Sequence, residues 1–363
     1  MLRRAVALAS AVRLHTSPNP WVGCVLVAAD GTEVEGATQP PGGDHAEAQA
    51  LRSARADGVD LRGATAFVTL EPCSHHGRTP PCADALIEAG VARVVVGVAD
   101  PDPHVAGRGI ERLRAAGVEV VVGVLADEVQ HQLGAYLHQR RTGRPWVTLK
   151  LAATLDGRSA APDGSSRWIT GPQARADVHR ERAEHDAVLV GAGTVRADDP
   201  ELTVRTTTGA PASAESGGWR DPQRGAWGGA QESAGHDGPD PLGPLGREPL
   251  RVVLGSAPTG ARVHPCLEMS GDLGQVLDTL GGKGILSVLV EGGPSVARSF
   301  HAAGLVNRYL LYVAPALFGG DDGLPLFTGP GAPTIAEVWR GRFTSVERLG
   351  DDLRLELLVD VLS

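Results

Sequence analysis

The sequence predicts two α/β domains in succession. Its 363 residues are more than a single hydrophobic core usually organises, so about two domains are expected. Hydrophobic residues make up 42% of the chain and aromatic residues only 4%, so the cores must be built mainly from Val, Leu and Ala. Short apolar runs alternate with helical patterns, which is typical of helices packed over a sheet.

In the first half, a hairpin precedes alternating helices and strands. The N-terminal residues have an amphipathic pattern (Val6, Ala9, Val12, Arg13) that favours a first helix over a transit peptide. Two β-rich runs within 22–36 flank Asp30-Gly31, a strong hairpin signal. Further strands are predicted at 64–70, 91–98 and 118–124, and helices at 45–57, 83–89 and 108–116.

A second α/β series begins with the strand-like run at Trp146. A polar segment, 141–144, ends at Pro145 and marks the expected boundary, which gives domains 1–143 and 144–363. Strands are predicted at 187–191, 251–254 and 286–290, and helices at 172–186 and 294–303, both of which start with Pro. A long apolar run, 309–318, follows the last of these helices.

Residues 206–248 differ sharply from their surroundings. About a third of them are Gly or Pro, and none is Val, Ile or Phe. Such a stretch cannot bury enough apolar surface to offset its chain entropy. We therefore expect a mobile surface insertion in the second domain; a partner-binding segment is the alternative.

Charge and cysteine content restrict the partners and the compartment. The formal net charge of −9 argues against a nucleic-acid partner, whereas small phosphorylated metabolites need only a few local Arg or Lys residues. No apolar run reaches the roughly 20 residues that span a bilayer, and four cysteines are too few for a disulfide scaffold. We expect a cytoplasmic protein without a membrane partner; a monomer and a homo-oligomer both stay open.

Two short motifs of the first half combine potential metal ligands with a carboxylate. His45-Ala46-Glu47 opens a predicted helix, and Pro72-Cys73 with a later Cys82 follows a buried strand. This is the order of residues in zinc deaminases. One imidazole and two thiolates would hold Zn²⁺ and leave a fourth position for water, whose pKa the metal lowers.

Glu47 is the candidate general acid and base. It lies two residues after His45, so it cannot stack beside it as a ligand but can exchange protons with the water and the leaving amine. Two alternatives are weighed: a nucleoside or tRNA deaminase with an unrelated second domain, and a structural-zinc module. The acidic charge disfavours the first, and a structural site would normally show four protein ligands.

The loop between the cysteines resembles that of the riboflavin-pathway deaminase. The cysteines are spaced as Cys-x8-Cys rather than Cys-x2-Cys, around the loop Ser74–Pro81. Three further motifs match that family: Pro18-Asn19-Pro20, Val22-Gly23-Cys24 and Gly107-Arg108-Gly109. The resemblance implies a cytidine-deaminase-like α/β/α fold and a substrate contact by Asn19. Cys24 is expected in the core, and His75 and His76 as loop or substrate contacts.

The second half has no Gly-x-Gly-x-x-Gly after a strand, so a Rossmann site is not predicted. Instead, the strand at 188–191 runs into a Gly-rich turn, and the strand at 288–290 leads through glycines into a helix at Pro294. Backbone N–H groups at such a helix N-terminus favour a pyrophosphate. A plain turn and cap would have the same pattern.

Several motifs in this half resemble the reductase domain of the same bifunctional family. They are Lys150-Leu-Ala-Ala-Thr-Leu-Asp156-Gly157-Arg158, Ser166-Arg-Trp168-Ile-Thr170, Thr194-Val-Arg-Ala-Asp198-Asp199-Pro200, Leu202-Thr-Val-Arg205 and Glu291-Gly-Gly-Pro294. The resemblance covers nearly the whole chain outside 206–248. It implies a dihydrofolate-reductase-like α/β fold, and NADPH as cofactor.

The resemblance also implies contacts, position by position. NADPH would contact Ala152, Trp168, Thr194, Asp198, Ser256, Gly293, Pro294, Ser295, Val296, Ala297, Arg298 and Ser299. The phosphoribosylamino substrate would contact Lys150, Ser166, Arg182, Leu202, Arg205 and Glu291. Arg182 and Arg205 suit a phosphate because guanidinium pairs bidentately with its oxygens.

Two departures from the family pattern lie close together. The family usually has Asp before the Ser at 256, whereas this chain has Gly255. The stretch 257–282 is short and poor in strand signal, so one strand of the second sheet is expected to be abbreviated or missing. A deaminase with a degenerate reductase domain is therefore a third alternative. Cys266 lies in this region, and the sequence suggests no partner for it.

The implied reactions are consecutive. The first removes an amino group hydrolytically from 2,5-diamino-6-ribosylamino-4(3H)-pyrimidinone 5′-phosphate. The second reduces the ribosyl group to ribityl with hydride from NADPH, for which the protein supplies position and charge.

Overall fold

A computed structural model of the chain describes residues 1–74, 81–205 and 248–359. In these ranges the chain forms two large sheets, one in each half, with helices packed against them. No helix within them is both long and apolar enough to cross a membrane.

The first sheet has five strands in the order β2-β1-β3-β4-β5. The predicted hairpin at Asp30-Gly31 is confirmed, because β1 and β2 pair antiparallel and Gly31 has a φ of +89°. β1 also pairs antiparallel with β3, whereas β3, β4 and β5 are parallel. The strands are β1 (Gly23–Val27), β2 (Glu33–Ala37), β3 (Thr65–Leu70), β4 (Arg93–Val98) and β5 (Glu119–Val122).

Six helices accompany this sheet, and the four predicted ones lie where expected. Two helices before the second half were not predicted, α5 and α6. Their bounds are α1 (Leu2–Thr16), α2 (Ala46–Ala56), α3 (Cys82–Glu88), α4 (Arg108–Ala115), α5 (Ala126–Gln132) and α6 (Gly134–Thr142). The core between helices and sheet consists largely of small aliphatic side chains, as the composition predicted.

The second sheet has eight strands in the order β10-β9-β8-β11-β6-β12-β15-β14. All pairs from β10 to β12 are parallel, and the last two strands add an antiparallel hairpin. The strands are β6 (Trp146–Thr154), β7 (Arg158–Ala160), β8 (Ala187–Gly191), β9 (Leu250–Leu254), β10 (Leu267–Met269), β11 (Ser287–Val290), β12 (Arg308–Ala314), β13 (Leu324–Pro325), β14 (Arg342–Leu349) and β15 (Asp352–Leu358). β7 and β13 pair separately.

The structure corrects one prediction for this half and refines another. The segment after β8 is a helix and not a Gly-rich turn, since hydrogen-bonded turns begin at Ala192 directly after the strand. In the stretch 257–282, β10 is present with only three residues, so the strand is abbreviated and not missing. The helices are α7 (Pro172–Glu184), α8 (Ala192–Asp198), α9 (Leu273–Gly282) and α10 (Pro294–Ala302), with a 3₁₀ turn at Ile335–Glu337.

The two halves pack directly against each other. Leu286, which precedes β11, is 1% exposed and belongs to the core of the first half. Ser17 Oγ donates to Asp186 Oδ1 at 2.7 Å, and Arg13 forms an ion pair with Glu184 at 3.0 Å. The segment that carries Asn19 is therefore held by the end of α7.

The predicted insertion 206–248 lies outside the described residues except for Glu248. Its flanks are adjacent, because the N–H of Val204 donates to the Glu248 carboxylate at 3.2 Å. Loop closure depends weakly on length, by about 0.6 kcal/mol per doubling. We expect a Gly-Ser linker in place of 206–247 to preserve both enzymatic activities and the melting temperature.

Deleting 202–248 is the matched control, because it also removes Leu202, which is 2% exposed in the core. That variant should be destabilised. Loss of either activity in the 206–247 variant would contradict the insertion hypothesis.

Candidate functional site

Three predicted metal ligands converge at the carboxyl end of the first sheet. His45 is the N-cap of α2, Cys73 follows β3, and Cys82 is the first residue of α3. His45 Nδ1 lies 3.5 Å from Cys73 Sγ and 3.5 Å from Cys82 Sγ. All three ligand atoms are within 4.8 Å of one another.

These separations fit tetrahedral zinc. With Zn–S of about 2.3 Å and Zn–N of about 2.05 Å, a tetrahedral S–Zn–N angle sets sulfur and nitrogen about 3.5 Å apart. The Cys82 N–H donates to Cys73 Sγ at 3.3 Å. Hydrogen bonding from the Cys82 side chain, aided by His45, lowers the pKa of Cys73 to about 4, so this sulfur is ready to bind metal as a thiolate.

Glu47 lies in the first turn of α2, beside this centre and 4% exposed. Burial, followed by the charge of Cys73, raises the pKa of Glu47 to about 7. A carboxyl group of this kind can both accept and donate a proton near neutrality. Cys24 is fully buried in β1, as predicted, and burial raises the pKa of its thiol.

A zinc ligand change gives a direct test of the centre. Cys82→Ala removes one of three ligands, so we expect the full-length protein to lose bound zinc and deamination together. Metal analysis of purified protein beside a deamination assay measures both. Cys24→Ala is the control and should keep its zinc; full zinc occupancy in Cys82→Ala would contradict the assignment.

Sequence reasoning missed Glu71, which organises the loop around the metal centre. Its buried carboxylate accepts four backbone N–H groups, from Asp100, Gly107, Gly109 and Ile110, at 2.9–3.2 Å. Gly109 packs so closely that an added Cβ would lie 1.9 Å from Pro72 O. An acidic residue directly before Pro-Cys, at the end of a buried strand, was the available signal.

Among the predicted substrate contacts of this half, the structure describes Asn19. Asn19 is partly buried and its N–H donates to Thr16 O, just after α1. His75 and His76 lie outside the described residues, so their predicted contacts stay predictions.

In the second half, parallel strands bring candidate cofactor residues to one edge of the sheet. β8, β9 and β11 end together, at Gly191, Leu254 and Val290. Thr194, Ser256 and Gly293 follow these three strand ends, and Thr194 Oγ1 accepts the N–H of Gly293 at 3.0 Å. Ligands of open α/β sheets bind at this edge.

Glycines allow close packing at this edge. An added Cβ on Gly191 or Gly292 would lie 2.7 or 2.6 Å from the Val296 side chain, whereas one on Gly193 would meet open space. Gly293 is the N-cap of α10 and Pro294 its first residue, so free N–H groups of the first turn point to this edge. The arrangement suits a cofactor pyrophosphate.

The remaining cofactor candidates differ in exposure. Trp168 is 70% exposed and Arg175 stacks on its ring at 4.6 Å, which makes a platform for a planar group. Asp198 accepts a hydrogen bond at its carbonyl from Arg167. Ala152 is partly buried on β6, and Ala297 is fully buried in the core. The side chains of Arg298 and Ser299 bond to Pro330 O and Ser295 O.

Arg182 and Glu291 form a bidentate ion pair at 2.6 and 3.0 Å, only 15% and 8% exposed. Lys150 is partly buried beside them, and burial lowers the pKa of its ammonium group. Arg205 is exposed and pairs with Glu201. Two basic predicted substrate residues, Lys150 and Arg182, thus lie together, with the fork of Arg182 occupied by Glu291.

Two other predicted substrate residues differ in burial, and Arg182 donates to the carbonyl of Thr203, which follows one of them, at 3.1 Å. Leu202 is buried in the core with a φ of +54°. Ser166 is partly buried, and its carbonyl accepts the N–H of Ile169.

The Arg182–Glu291 pair predicts a pH dependence of stability. Burial alone would raise the pKa of Glu291, but Arg182 lowers it to about 2. The pair therefore stabilises the fold fully above pH about 4.5 and loses this contribution, on the order of 3 kcal/mol, as the pH falls towards about 2. Unfolding of the wild type and Glu291→Gln across that range should show their stability difference shrinking. A constant difference would contradict an ionised Glu291.

The chain resembles known proteins over nearly its whole length. Residues 1–98 match the cytidine and deoxycytidylate deaminase zinc-binding region, and residues 145–355 match the RibD C-terminal domain. It is 40% identical to the riboflavin biosynthesis protein RibD of Escherichia coli, covering 98% of each chain. It is 44% identical to that of Mycobacterium tuberculosis, covering 96% of this chain and 93% of the relative.

The chain is also similar in fold to solved structures. Acinetobacter baumannii RibD superposes with a TM-score of 0.82 at 35% identity, covering 98% of this chain and 97% of that one. A Thermotoga maritima diaminohydroxyphosphoribosylaminopyrimidine deaminase/5-amino-6-(5-phosphoribosylamino)uracil reductase superposes with a TM-score of 0.79 at 34% identity and the same coverage.

Proposed function

This chain belongs to the RibD family of bifunctional riboflavin-biosynthesis enzymes, and on that premise we propose which of its residues carry out each reaction. It is a zinc-dependent deaminase joined to an NADPH-dependent reductase. Its cytidine-deaminase-like and dihydrofolate-reductase-like halves confirm the predicted fold class. We place the domain boundary between residues 143 and 144, in the connection from α6 to β6.

We assign the deaminase chemistry to four residues. His45, Cys73 and Cys82 hold zinc, which when bound activates water for attack on the ring carbon that bears the amine. Glu47 takes one proton of the attacking water and delivers it to the ring nitrogen. It then carries the remaining proton of the added hydroxyl group to the departing amine, so a ring carbonyl forms and ammonia leaves as a neutral molecule. The 3.5 Å Cys–His separations support this assignment most directly. We also assign Asn19 to a contact with the pyrimidine.

The reductase chemistry is assigned to the carboxyl edge of the second sheet. When bound, NADPH supplies the hydride that reduces the ribosyl group. We propose that Thr194, Ser256 and the segment 293–299 hold the cofactor with Ala152, Trp168 and Asp198. The predicted substrate residues hold the phosphoribosylamino group: Lys150, Ser166, Arg182, Leu202, Arg205 and Glu291.

Arg205 is the better candidate for the substrate phosphate of the two arginines. The side chain of Arg205 is 58% exposed and its partner Glu201 is 30% exposed, so a phosphate can replace that carboxylate, whereas Arg182 and Glu291 are only 15% and 8% exposed. Besides its proposed substrate contact, Arg182 fixes Glu291 beside Lys150. We further propose a cytoplasmic enzyme that acts on the small phosphorylated pyrimidine, with no nucleic-acid or membrane partner.

Separate substrates test the two assignments. Purified full-length protein given the diaminopyrimidine phosphate without NADPH should accumulate the deaminated product. Given the deaminated compound and NADPH, it should form the ribityl product with loss of NADPH absorbance. Deamination without measurable reduction would favour a degenerate reductase domain, and would implicate Gly255 and the short 257–282 segment. Absence of deamination in zinc-loaded protein would refute the first assignment.

A further inference from the structure

A second group of metal-binding side chains converges in the described part of the chain, far from the deaminase motifs in sequence. His264, Cys266 and Glu268 alternate along the segment that leads into β10, and their ligand atoms lie within 4.8 Å of one another. Among the described residues, β10 is an edge strand of the second sheet and pairs only with β9. No partner for Cys266 was predicted from the sequence, whereas the structure places two beside it.

The sulfur–nitrogen distance in this group is the same as in the deaminase centre. Cys266 Sγ lies 3.5 Å from His264 Nδ1, the same separation as in both Cys–His pairs of that centre. It is also the sulfur–nitrogen separation of about 3.5 Å that tetrahedral zinc requires.

Residues outside the group orient its two other ligands. His264 Nε2 lies 3.1 Å from Pro258 O, so this nitrogen carries the proton and leaves Nδ1 free as a ligand. Glu268 Oε1 accepts the N–H of Ala257 at 2.9 Å, which holds the carboxylate in place beside the cluster. Ligating histidines and carboxylates in metalloproteins are fixed by such outer partners.

We propose that His264, Cys266 and Glu268 form a second metal site, which takes zinc or another borderline divalent ion. Thiolate and imidazole ligands select such ions over Mg²⁺ and Ca²⁺. His264 and Glu268 are exposed and a fourth position stays open to water. The ion therefore binds more weakly, and exchanges faster, than at the buried deaminase centre.

The site also connects to the cofactor edge, a consequence that rests on the proposed function. Its outer partners Ala257 and Pro258 directly follow Ser256, which we assign to NADPH. Gly255 is tied to the same strand, because its N–H donates to Met269 O at 2.8 Å. A bound ion would fix the loop 255–258 against β10 and so change the affinity for NADPH.

Zinc titration of the full-length protein tests the site. Wild type should bind two equivalents, one tight and one weaker, and Cys266→Ser should lose only the weaker one. A loss of more than about 100-fold in affinity is expected, since even outer partners of ligands contribute about 10–100-fold. Cys82→Ala should lose the tight equivalent and keep the weaker one. With Co²⁺ in place of zinc, this variant should show a thiolate-to-Co²⁺ absorption band. That band should disappear when Cys82→Ala and Cys266→Ser are combined.

His131→Ala, which removes an exposed histidine far from any cluster, is the matched control and should bind as wild type does. If Cys266→Ser bound the weaker zinc equivalent as tightly as wild type does, the proposed site would be wrong. NADPH titration separates the second claim: an affinity that responds to zinc in wild type but not in Cys266→Ser supports the link. If Cys266 is needed for zinc binding but the NADPH affinity does not respond to zinc, the link is refuted and the metal site is still supported.

Discussion

Glu47→Gln is expected to lower kcat/KM for deamination by about 10²–10⁴-fold while the protein keeps its zinc. The amide preserves the size and hydrogen-bonding capacity of the side chain, but it cannot accept a proton from water at neutral pH. Glu47 is 4% exposed and lies beside the His45 centre, so bulk solvent does not readily replace it. The assay follows deamination of the diaminopyrimidine phosphate without NADPH, together with the zinc content of the same preparation.

The reductase provides an internal control for this variant. Every residue assigned to reduction lies at or beyond Lys150, so no assigned catalytic or binding residue is shared between the sites, and effects at distant sites are usually additive. Glu47→Gln should reduce the already deaminated compound at the wild-type rate, and Glu111→Gln, an exposed change in α4, should affect neither reaction. Deamination within threefold of wild type would show that another residue handles the proton. A lost reductase rate in folded, zinc-loaded protein would contradict independent sites.

Glu181→Gln is expected to destabilise the protein by about 3–5 kcal/mol, because it removes the centre of a buried network of charges. Glu181 is 1% exposed and its two oxygens accept from Arg308 at 2.6 Å and Arg354 at 2.9 Å. Burial alone would raise the pKa of Glu181, but the surrounding arginines hold it below its usual range. Without this carboxylate, buried guanidinium groups on β12 and β15 lose their main counter-charge.

Urea unfolding with the zinc content held constant measures this effect. Asp351→Asn is the matched control, because it breaks the Arg348–Asp351 pair, whose side chains are 72% and 87% exposed. Such pairs contribute little, so its midpoint should not move. A loss below about 1 kcal/mol in Glu181→Gln would mean that Asp177 and Glu356, which also pair with Arg354, suffice.

The zinc ligands were predictable because the residues that form the centre occur in two short motifs next to a predicted strand and helix. The same holds for the first hairpin, where Gly31 adopts the positive φ that the turn requires. Elements with weak local patterns were not predictable. β14 is an edge strand with mostly exposed, mixed side chains, and α9 ends in two glycines. Their structure depends on the neighbours they pair with.

Contacts between residues that are far apart in the sequence were not predictable either. The Arg182–Glu291 pair joins residues 109 positions apart, and the four N–H groups that Glu71 accepts lie 29–39 residues further along the chain. The motif resemblance identified Arg182 and Glu291 separately as substrate residues, but it did not show that each is the other's partner. Only tertiary structure determines which side chains face a ligand and which face each other.

The packing of Leu286 into the first core has a consequence for unfolding. A leucine from the reductase half fills space among deaminase side chains, and removing a buried leucine typically costs about 2–5 kcal/mol. We therefore expect the two halves to melt as one cooperative unit, although their chemistry is separate. A ligand that binds only the native state stabilises the whole of such a unit. NADPH bound to the second half would thus protect the zinc centre of the first half from heat.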